Sequence, residues 1–331
     1  MENILITGAL GYLGQSVLNR LHNDMKEGKI NSLTAMDVRS VKDSERLKNV
    51  NYVELDIRDE NLWKHLQKEQ ITTVIHLAAI IDSQSSPRAF QYEVDVMGTQ
   101  NILDACLKVA VNRIIISSSG AAYGYHVDNP EWLQENDAIR GNEIFPYSAH
   151  KRMVEEMMCE YREKYPQLQQ TIFRICTILG KTTDNLITNL FEKKHILGIK
   201  GYDSPYVFIW DEDVADCIQQ AVFSEKYGVY NLAGDGAICN SDLAILLNKR
   251  YLSIPVSLLR WALRVGNKLG LTQYSPDQIL FIQYRPVLDN RKLKREFGFV
   301  PQKTSLETFL YYLNSRNKTI GDINNINILT P

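Results

Sequence analysis

Little in this sequence is one-sided. Its formal net charge is −2, with acids and bases interspersed, which excludes the basic footprint of a nucleic-acid binder and the block of an acidic tail. Cysteine is scarce. The five present (Cys106, Cys159, Cys176, Cys217 and Cys239) are scattered singly, without the CxxC pairing of a zinc site or the density of a disulfide scaffold. No metal is expected. No stretch approaches the ~20 apolar residues of a membrane span. Glu2-Asn3 leads directly into a strand-like run, so no N-terminal signal is read. Internal repeats and low-complexity linkers are lacking too. These absences make the cytoplasm the expected compartment, with neither nucleic acid nor membrane as partner. What is present is core material: 44% of 331 residues are hydrophobic, ample for one large domain or two smaller ones.

The apolar residues are ordered along the chain. "NILITG" (3–8), "LTAMDV" (33–38), "NYVELDI" (51–57), "VIHLAA" (74–79), "NRIIISSS" (112–119) and "TIFRICTIL" (171–179) read as strands. Leu13, Val17 and Leu21 recur at helical spacing after the first. Helices are expected over 89–110 and 147–165. Strands alternating with helices predict an α/β fold, a doubly wound parallel sheet covered on both faces. After residue 180 the alternation weakens, with helical stretches expected at 184–197, 212–223 and 241–250 and a strand at 228–234. "IPVSLLRWALRVGNKLG" (254–270) is apolar on more than one face. It reads as a helix of a second lobe, with a membrane-surface helix as the other reading. The final "NNINILTP" is expected to fray.

"ITGALGYLG" (6–14) sets three glycines at equal intervals between the first strand and the first helix. Gly8 makes a tight turn, Gly11 removes a side chain where a pyrophosphate would approach, and Gly14 lets helix and sheet pack closely. The helix start then offers free N–H groups and positive partial charge to phosphates. Context makes this a dinucleotide-binding signature. Asp37 closes the second strand, where a carboxylate accepts hydrogen bonds from a ribose diol and repels a 2′-phosphate. NAD is therefore expected. Arg39, two residues on, keeps NADP open. Asp56 ends the third strand, either to reach the adenine amino group or to cap the helix of "RDENLWKHL".

Tyr147 and Lys151 are four apart on a predicted helix and so share a face. A phenol near its usual pKa of ~10 is a poor base at neutral pH; a neighbouring ammonium favours the phenolate. Ser119 ends the fifth strand, on the edge where open α/β sheets bind ligands.

Together, TGxxGxxG at 7–14, Asp37, Asp56, "HLAA", "SSSGAAYG" (117–124), "YSAHK" (147–151), "WDEDVAD" (210–216) and "LDNRKLKREFGFVP" (288–301) resemble the extended short-chain dehydrogenase/reductases of the NAD-dependent epimerase/dehydratase type. The resemblance runs from residue 3 to about 302. It implies a Rossmann sheet over 1–180 with a later return near 207–235, a smaller discontinuous substrate lobe over 181–315, and a tail over 316–331. It implies Tyr147 as general acid/base, Lys151 as its tuner and ribose ligand, and Ser119 as the group polarising the substrate oxygen. Gly8, Gly11, Tyr12, Leu13, Gly14, Asp37, Asp56, Ile57, Leu77, Ala78 and Ala79 would line the coenzyme. The loop Arg174 to Gly180 would lie near the nicotinamide, and Asp213 would be structural. A homodimer through the helices at 89–110 and 147–165 is implied, with Met157-Met158 in that contact or in the core. Epimerase and dehydrogenase/reductase chemistry both remain open. A dinucleotide sensor without catalysis is the reading from another class.

Four departures from that pattern bear on the substrate. Asp95 stands where the family often has asparagine, and Ile175 replaces a usual proline. Gly120 and Ala121 follow the catalytic hydroxyl where dehydratases carry an acidic pair, which argues against dehydration. No arginine lies between Arg174 and Arg250, so one usual diphosphate clamp is missing. Arg285 remains near the second clamp's place, and Lys193 and Lys194 are possible substitutes. Tyr202, Tyr206 and Phe208 would suit a less charged alcohol or ketone, or simply pack in a core. Trp132 and Phe145, in the long loop before the helix at 147, are candidates for touching substrate.

Overall fold

The apolar runs at the start of the chain become six parallel strands: β1 (Asn3–Thr7), β2 (Ser32–Asp37), β3 (Asn51–Glu54), β4 (Thr73–His76), β5 (Arg113–Ser119) and β6 (Gln169–Ile175). A later strand, Gly228–Leu232, joins them to complete a seven-stranded sheet. From edge to edge the order is Gly228–Leu232, β6, β5, β4, β1, β2, β3. This is the Rossmann order, which reverses direction between β1 and β4. The computed structural model describes residues 1–81, 86–270 and 276–331.

The sheet is buried on both faces because its strands are apolar at successive positions. Ile4 and Ile6 face one layer with Val17 and Leu21 of α1 (Tyr12–Lys26) and Val214 and Ile218 of the helix Asp211–Phe223. Leu5 faces the other layer, with Leu62 and Leu66 of α2 (Leu62–Lys68), Ile102 of the helix Gly98–Lys108, and Val154 and Met158 of the helix Pro146–Lys164. Each such fully buried aliphatic side chain contributes about 1.5–3 kcal/mol. Met158 is therefore core, and Met157 packs against it from a half-buried position. The helix expected over 89–110 forms with a wide turn inside it: Arg88–Tyr92 and Gly98–Lys108 flank a π-helical turn, Glu93–Met97.

Beyond residue 176 the expectations need correcting. "TIFRICTIL" is two strands, because Thr177–Leu179 leaves the main sheet and pairs with Phe208–Trp210. The helix expected over 184–197 stops at Phe191, and His195–Ile199 is a strand. The one expected over 241–250 stops at Leu246, and Arg250–Ile254 pairs in parallel with His195–Ile199. In both places a five-residue strand follows a short helix, too short for its pattern to stand apart from the helix before it. The second lobe has its own core, where Phe208 stacks on Tyr206 and on Phe309 with centroids 5.6 and 5.4 Å apart. Core packing thus accounts for Phe208. The tail does not fray throughout: Ile328–Leu329 pairs with Ala237–Ile238, and Ile326 and Ile328 pack on the lobe's core. The stretch at 254–270 forms the helix Val256–Lys268, yet none of its residues is buried.

Candidate active site

The strands β1 to β5 end on one edge, and each delivers a part there. After β1, Gly8 adopts φ +66°. A Cβ at Gly8 would stand 2.8 Å from the Ala78 amide nitrogen, so only glycine lets this turn pass under the loop that follows β4. A Cβ at Gly14 would overlap the Gly8 carbonyl oxygen and stand 2.8 Å from the Ala9 carbonyl carbon. Helix and turn are in backbone contact there. A Cβ at Gly11 would meet only the Gly8 carbonyl oxygen, at 3.1 Å. Gly11 is also the N-cap of α1 and offers no side-chain cap. The first-turn N–H groups of Tyr12, Leu13 and Gly14 therefore lack intrahelical acceptors beside a bare backbone. These are the features an incoming pyrophosphate needs.

The side chains of Tyr12 and Leu13 take no part in that cradle. The Tyr12 hydroxyl shares a hydrogen bond with Thr183 Oγ1 at 2.9 Å and donates to the Asp211 carboxylate. Leu13 packs against the core. Burial and the Asp211 carboxylate push the Tyr12 phenol well above its ordinary range.

At the end of β2, Asp37 is 7% exposed. Its Oδ2 accepts from the Leu10 amide at 3.0 Å, and its Oδ1 accepts from the Arg39 amide and Nε at 3.1 and 3.0 Å. Burial disfavours the charge, but these hydrogen bonds and the guanidinium outweigh it and hold the carboxyl below the usual range. Arg39, more than half exposed, folds back on Asp37. After β3, Asp56 binds Arg58 through N–H, Nε and Nη2 at 2.8, 3.0 and 2.7 Å. It is not a helix cap: α2 starts at Leu62 with Asn61 in that place. Ile57 is buried and abuts Gly98, where a Cβ would meet Ile57 Cδ1 at 2.6 Å.

The loop after β4 is fixed from two sides. Leu77 and Ala78 donate their amides to the Thr7 carbonyl and hydroxyl at 3.2 and 3.4 Å. Just past Ala79, the Ile80 amide donates to Asp95 Oδ1 at 2.8 Å. Asp95 Oδ2 in turn accepts from His150 Nδ1 at 2.9 Å, and both side chains are more than nine-tenths buried. Below them His76 bridges Thr7 and Thr99 at 2.7 and 3.0 Å. Burial, aided by Lys151, lowers its pKa to about 3, so the ring is neutral.

Ser119 ends β5 and caps the short turn Gly120–Tyr123, accepting from the Ala121 amide at 3.1 Å. That leaves its own O–H free to donate. Ser148 donates to the Ala121 carbonyl at 2.7 Å, which holds the helix Pro146–Lys164 against the Ser119 turn. Lys151 Nζ donates to the Ser117 carbonyl at 2.7 Å and lies 5.7 Å from the Tyr147 ring centroid. Ser119, Tyr147 and Lys151 are thus drawn to one corner through Ala121, Ser148 and Ser117. Arg174 is otherwise engaged: it is buried, pairs with Glu155 at 2.7 Å and donates to the Tyr123 hydroxyl at 2.8 Å. Asp213 is structural, accepting from the Gln302 and Lys303 amides.

Residues 4–233 match the NAD dependent epimerase/dehydratase family. The chain belongs to that family. It is therefore of a family of NAD-dependent enzymes. An uncharacterized protein of Mycobacterium tuberculosis is 25% identical over 324 residues, spanning 96% of this chain and 84% of that protein. The N-acetyl-alpha-D-glucosaminyl-diphospho-ditrans,octacis-undecaprenol 4-epimerase of Escherichia coli is 28% identical over 197 residues, spanning 58% of this chain and 54% of that protein. Among solved structures, UDP-glucose 4-epimerase of Thermotoga maritima with UDP-glucose superimposes with a TM-score of 0.71 at 19% identity, covering 95% of this chain and 98% of that one. That likeness is one of fold.

Within the family frame, two features were not legible in the sequence. The first is His150, which pairs with the family-atypical Asp95; the residues are too distant in sequence for spacing to signal it. The second is the setting of Arg285. Its guanidinium lies 3.9 Å over the Tyr206 ring and 4.4 Å over the Phe281 ring. Its Nε and Nη2 are shielded from solvent and find no hydrogen-bond partner among the described residues. Phe281, Tyr125 and Phe145 form a chain of rings from there to the start of the Tyr147 helix, with centroids 5.1 and 5.6 Å apart. Tyr206 is core on one face and carries Arg285 on the other. Tyr202 is exposed and edges onto Tyr284, while Trp132 packs into the cluster around Tyr123. Lys193 and Lys194 stand exposed.

Proposed function

We propose that this protein is an NAD-dependent epimerase that inverts a hydroxyl-bearing carbon of a nucleotide-diphosphate sugar, with Ser119, Tyr147 and Lys151 as its catalytic residues. The observation that carries the reading is the pairing of this corner with Arg285, a shielded guanidinium with unsatisfied donors at the far end of an aromatic wall. A diphosphate would satisfy those donors. The absence of a carboxylate at Gly120 and Ala121 sets dehydration aside.

The residues fit the coenzyme. Gly11 leaves the helix start bare, and the amides of Tyr12, Leu13 and Gly14 would take the pyrophosphate. Asp37 would accept from the adenosine ribose, with Arg39 turning outward. Asp56 and Ile57 would meet the adenine, and Leu77, Ala78 and Ala79 would flank the path to the nicotinamide. NADP would bring a 2′-phosphate against Asp37, so NAD is the coenzyme proposed. NAD, when bound, would supply a reversible hydride acceptor.

The chain's own groups handle the proton. Tyr147 would take the proton of the substrate hydroxyl as general base. Ser119 donates to the same oxygen and holds it in line. Lys151, anchored on the Ser117 carbonyl, would turn its remaining N–H groups to the ribose and keep positive charge near the phenol. Return of the hydride to the opposite face of the carbonyl would be NAD's chemistry, and Tyr147 would give the proton back to the same oxygen, so that inversion would leave no net redox change. A homodimer through the outer faces of the helices Gly98–Lys108 and Pro146–Lys164 is part of this proposal. Light scattering on the purified protein tests that part.

The deciding experiment is a screen of UDP- and dTDP-sugars by chromatography of products, with the nucleotide released from denatured protein identified by mass spectrometry. Co-purified NAD with inversion of one sugar supports the reading. Steady NADH production at 340 nm from a neutral alcohol would instead establish a dehydrogenase. The lack of arginine between Arg174 and Arg250 favours that second reading.

A further inference from the structure

The helix Val256–Lys268 is the one feature of the second lobe that neither the fold nor the site explains. None of its residues is buried, and its packing within the described residues is mainly on the turn Pro276–Gln278. Its sequence nevertheless has strongly divided faces. At 100° per residue, Leu258, Trp261, Ala262, Val265 and Leu269 fall on one ridge. All five are exposed, Trp261 at 61% and Leu269 at 65%. Arg260, Arg264 and Lys268 fall together on the adjoining stripe and are exposed as well. The partly covered side, by which the helix rests on the protein, is the remaining one, with Val256, Leu259, Leu263 and Gly266. The helix is held by one side, and both the apolar ridge and the basic stripe are left to solvent.

Its charge is of one sign. From Lys249 to Gly270 the chain has five basic residues and no acidic one, in a protein whose net charge is −2. None of Arg260, Arg264 and Lys268 makes an ion pair among the described residues. Their counter-charge is lacking among the described residues, so it comes from whatever covers this face. An apolar ridge edged by unpaired cations, with a tryptophan on it, has the chemistry of a helix lying in the headgroup region of an anionic bilayer. Thirteen residues at 1.5 Å each make it about 20 Å long. That is too short to span and ample to lie flat.

We infer that this protein docks reversibly on anionic membrane surfaces through the helix Val256–Lys268, with Leu258, Trp261, Val265 and Leu269 in the interface and Arg260, Arg264 and Lys268 on lipid phosphates. This runs against the expectation of no membrane partner drawn from the missing membrane span. The inference is independent of the catalytic assignment, since the helix contributes nothing to the Tyr147 corner.

The test is co-sedimentation of the full chain with vesicles of phosphatidylcholine, with and without about one third phosphatidylglycerol. Three cations near the surface predict binding on the order of 100-fold tighter to the anionic vesicles, lost at high salt. Trp261 fluorescence should shift to the blue on binding. Leu258→Ser with Trp261→Ser, and separately Arg260→Glu with Arg264→Glu, should each abolish sedimentation while leaving the melting temperature and coenzyme binding unchanged, because no buried residue is altered. Equal binding to both vesicle types, no binding to either, or binding that survives both variants would overturn the inference. So would a dimer in solution that the serine variant turns to monomer, which would assign the ridge to a second copy of the chain.

Discussion

Asp95 and His150 are 55 residues apart in the chain, yet their side chains meet at 2.9 Å with both nearly removed from solvent. Asp95 holds the loop after β4 through the Ile80 amide with one oxygen and the Tyr147 helix through His150 with the other. One carboxylate thus ties the loop after β4 to the helix Pro146–Lys164. Removing it leaves a buried imidazole N–H and a buried amide without acceptors, at about 1–3 kcal/mol each, so Asp95→Ala is expected to cost about 2–6 kcal/mol. Asp95→Asn keeps the Ile80 bond and should cost about 1.5 kcal/mol or less. Urea titrations of both variants check this ordering, and equal losses would count against the bridging role.

Tyr147→Phe should lower turnover by about 10²–10⁴-fold, the usual worth of a positioned acid/base, while NAD affinity stays within a few-fold. The measurement is turnover of the identified substrate beside coenzyme titration by calorimetry. An active phenylalanine variant would remove Tyr147 from the chemistry.

The glycines separate fold from binding. Gly14→Ala forces a methyl into the Gly8 and Ala9 backbone, where no flexible side chain can yield, and should destabilise by about 3 kcal/mol or prevent folding. Gly11→Ala meets only the Gly8 carbonyl oxygen, at 3.1 Å, and should cost about 1 kcal/mol. On the proposed coenzyme pose the methyl would stand where the pyrophosphate approaches, so NAD affinity should fall at least tenfold. Thermal melts with and without NAD distinguish the two effects.

Asp37 carries both a selectivity and an acid-stability prediction. Its folded pKa is lowered, so it stabilises the fold at pH above its unfolded value of about 3.9. That contribution is lost as pH falls through the lower folded value. Asp37→Asn should therefore flatten the stability profile below about pH 4. Asp37→Ala removes the repulsion toward a 2′-phosphate and frees Arg39, so the ratio of NADP to NAD affinity should rise at least tenfold. Melts across pH and paired coenzyme titrations read the two outcomes separately.

The sheet, its helices and the site's polarity were legible because they rest on local rules. Alternating apolar runs, three glycines at a strand-to-helix turn, and a tyrosine one helical turn before a lysine carry their meaning within a few residues. The second lobe was less legible. Its strands are two to five residues long, too short for periodicity to separate them from the helices they follow. "FRICTIL" looked continuous although Cys176 breaks it between two sheets.

The sequence by itself determined the family, the main parallel strands and the three residues proposed for catalysis, because each is written in contiguous segments. Only the tertiary structure decided that Asp95 answers to His150, that Arg174 is spent on Glu155, that Arg285 is held with donors unsatisfied, and that the helix Val256–Lys268 keeps its apolar ridge in solvent. Those outcomes depend on which distant side chains arrive at the same place and which faces find no neighbour, and pairing across space leaves no periodic mark along a chain.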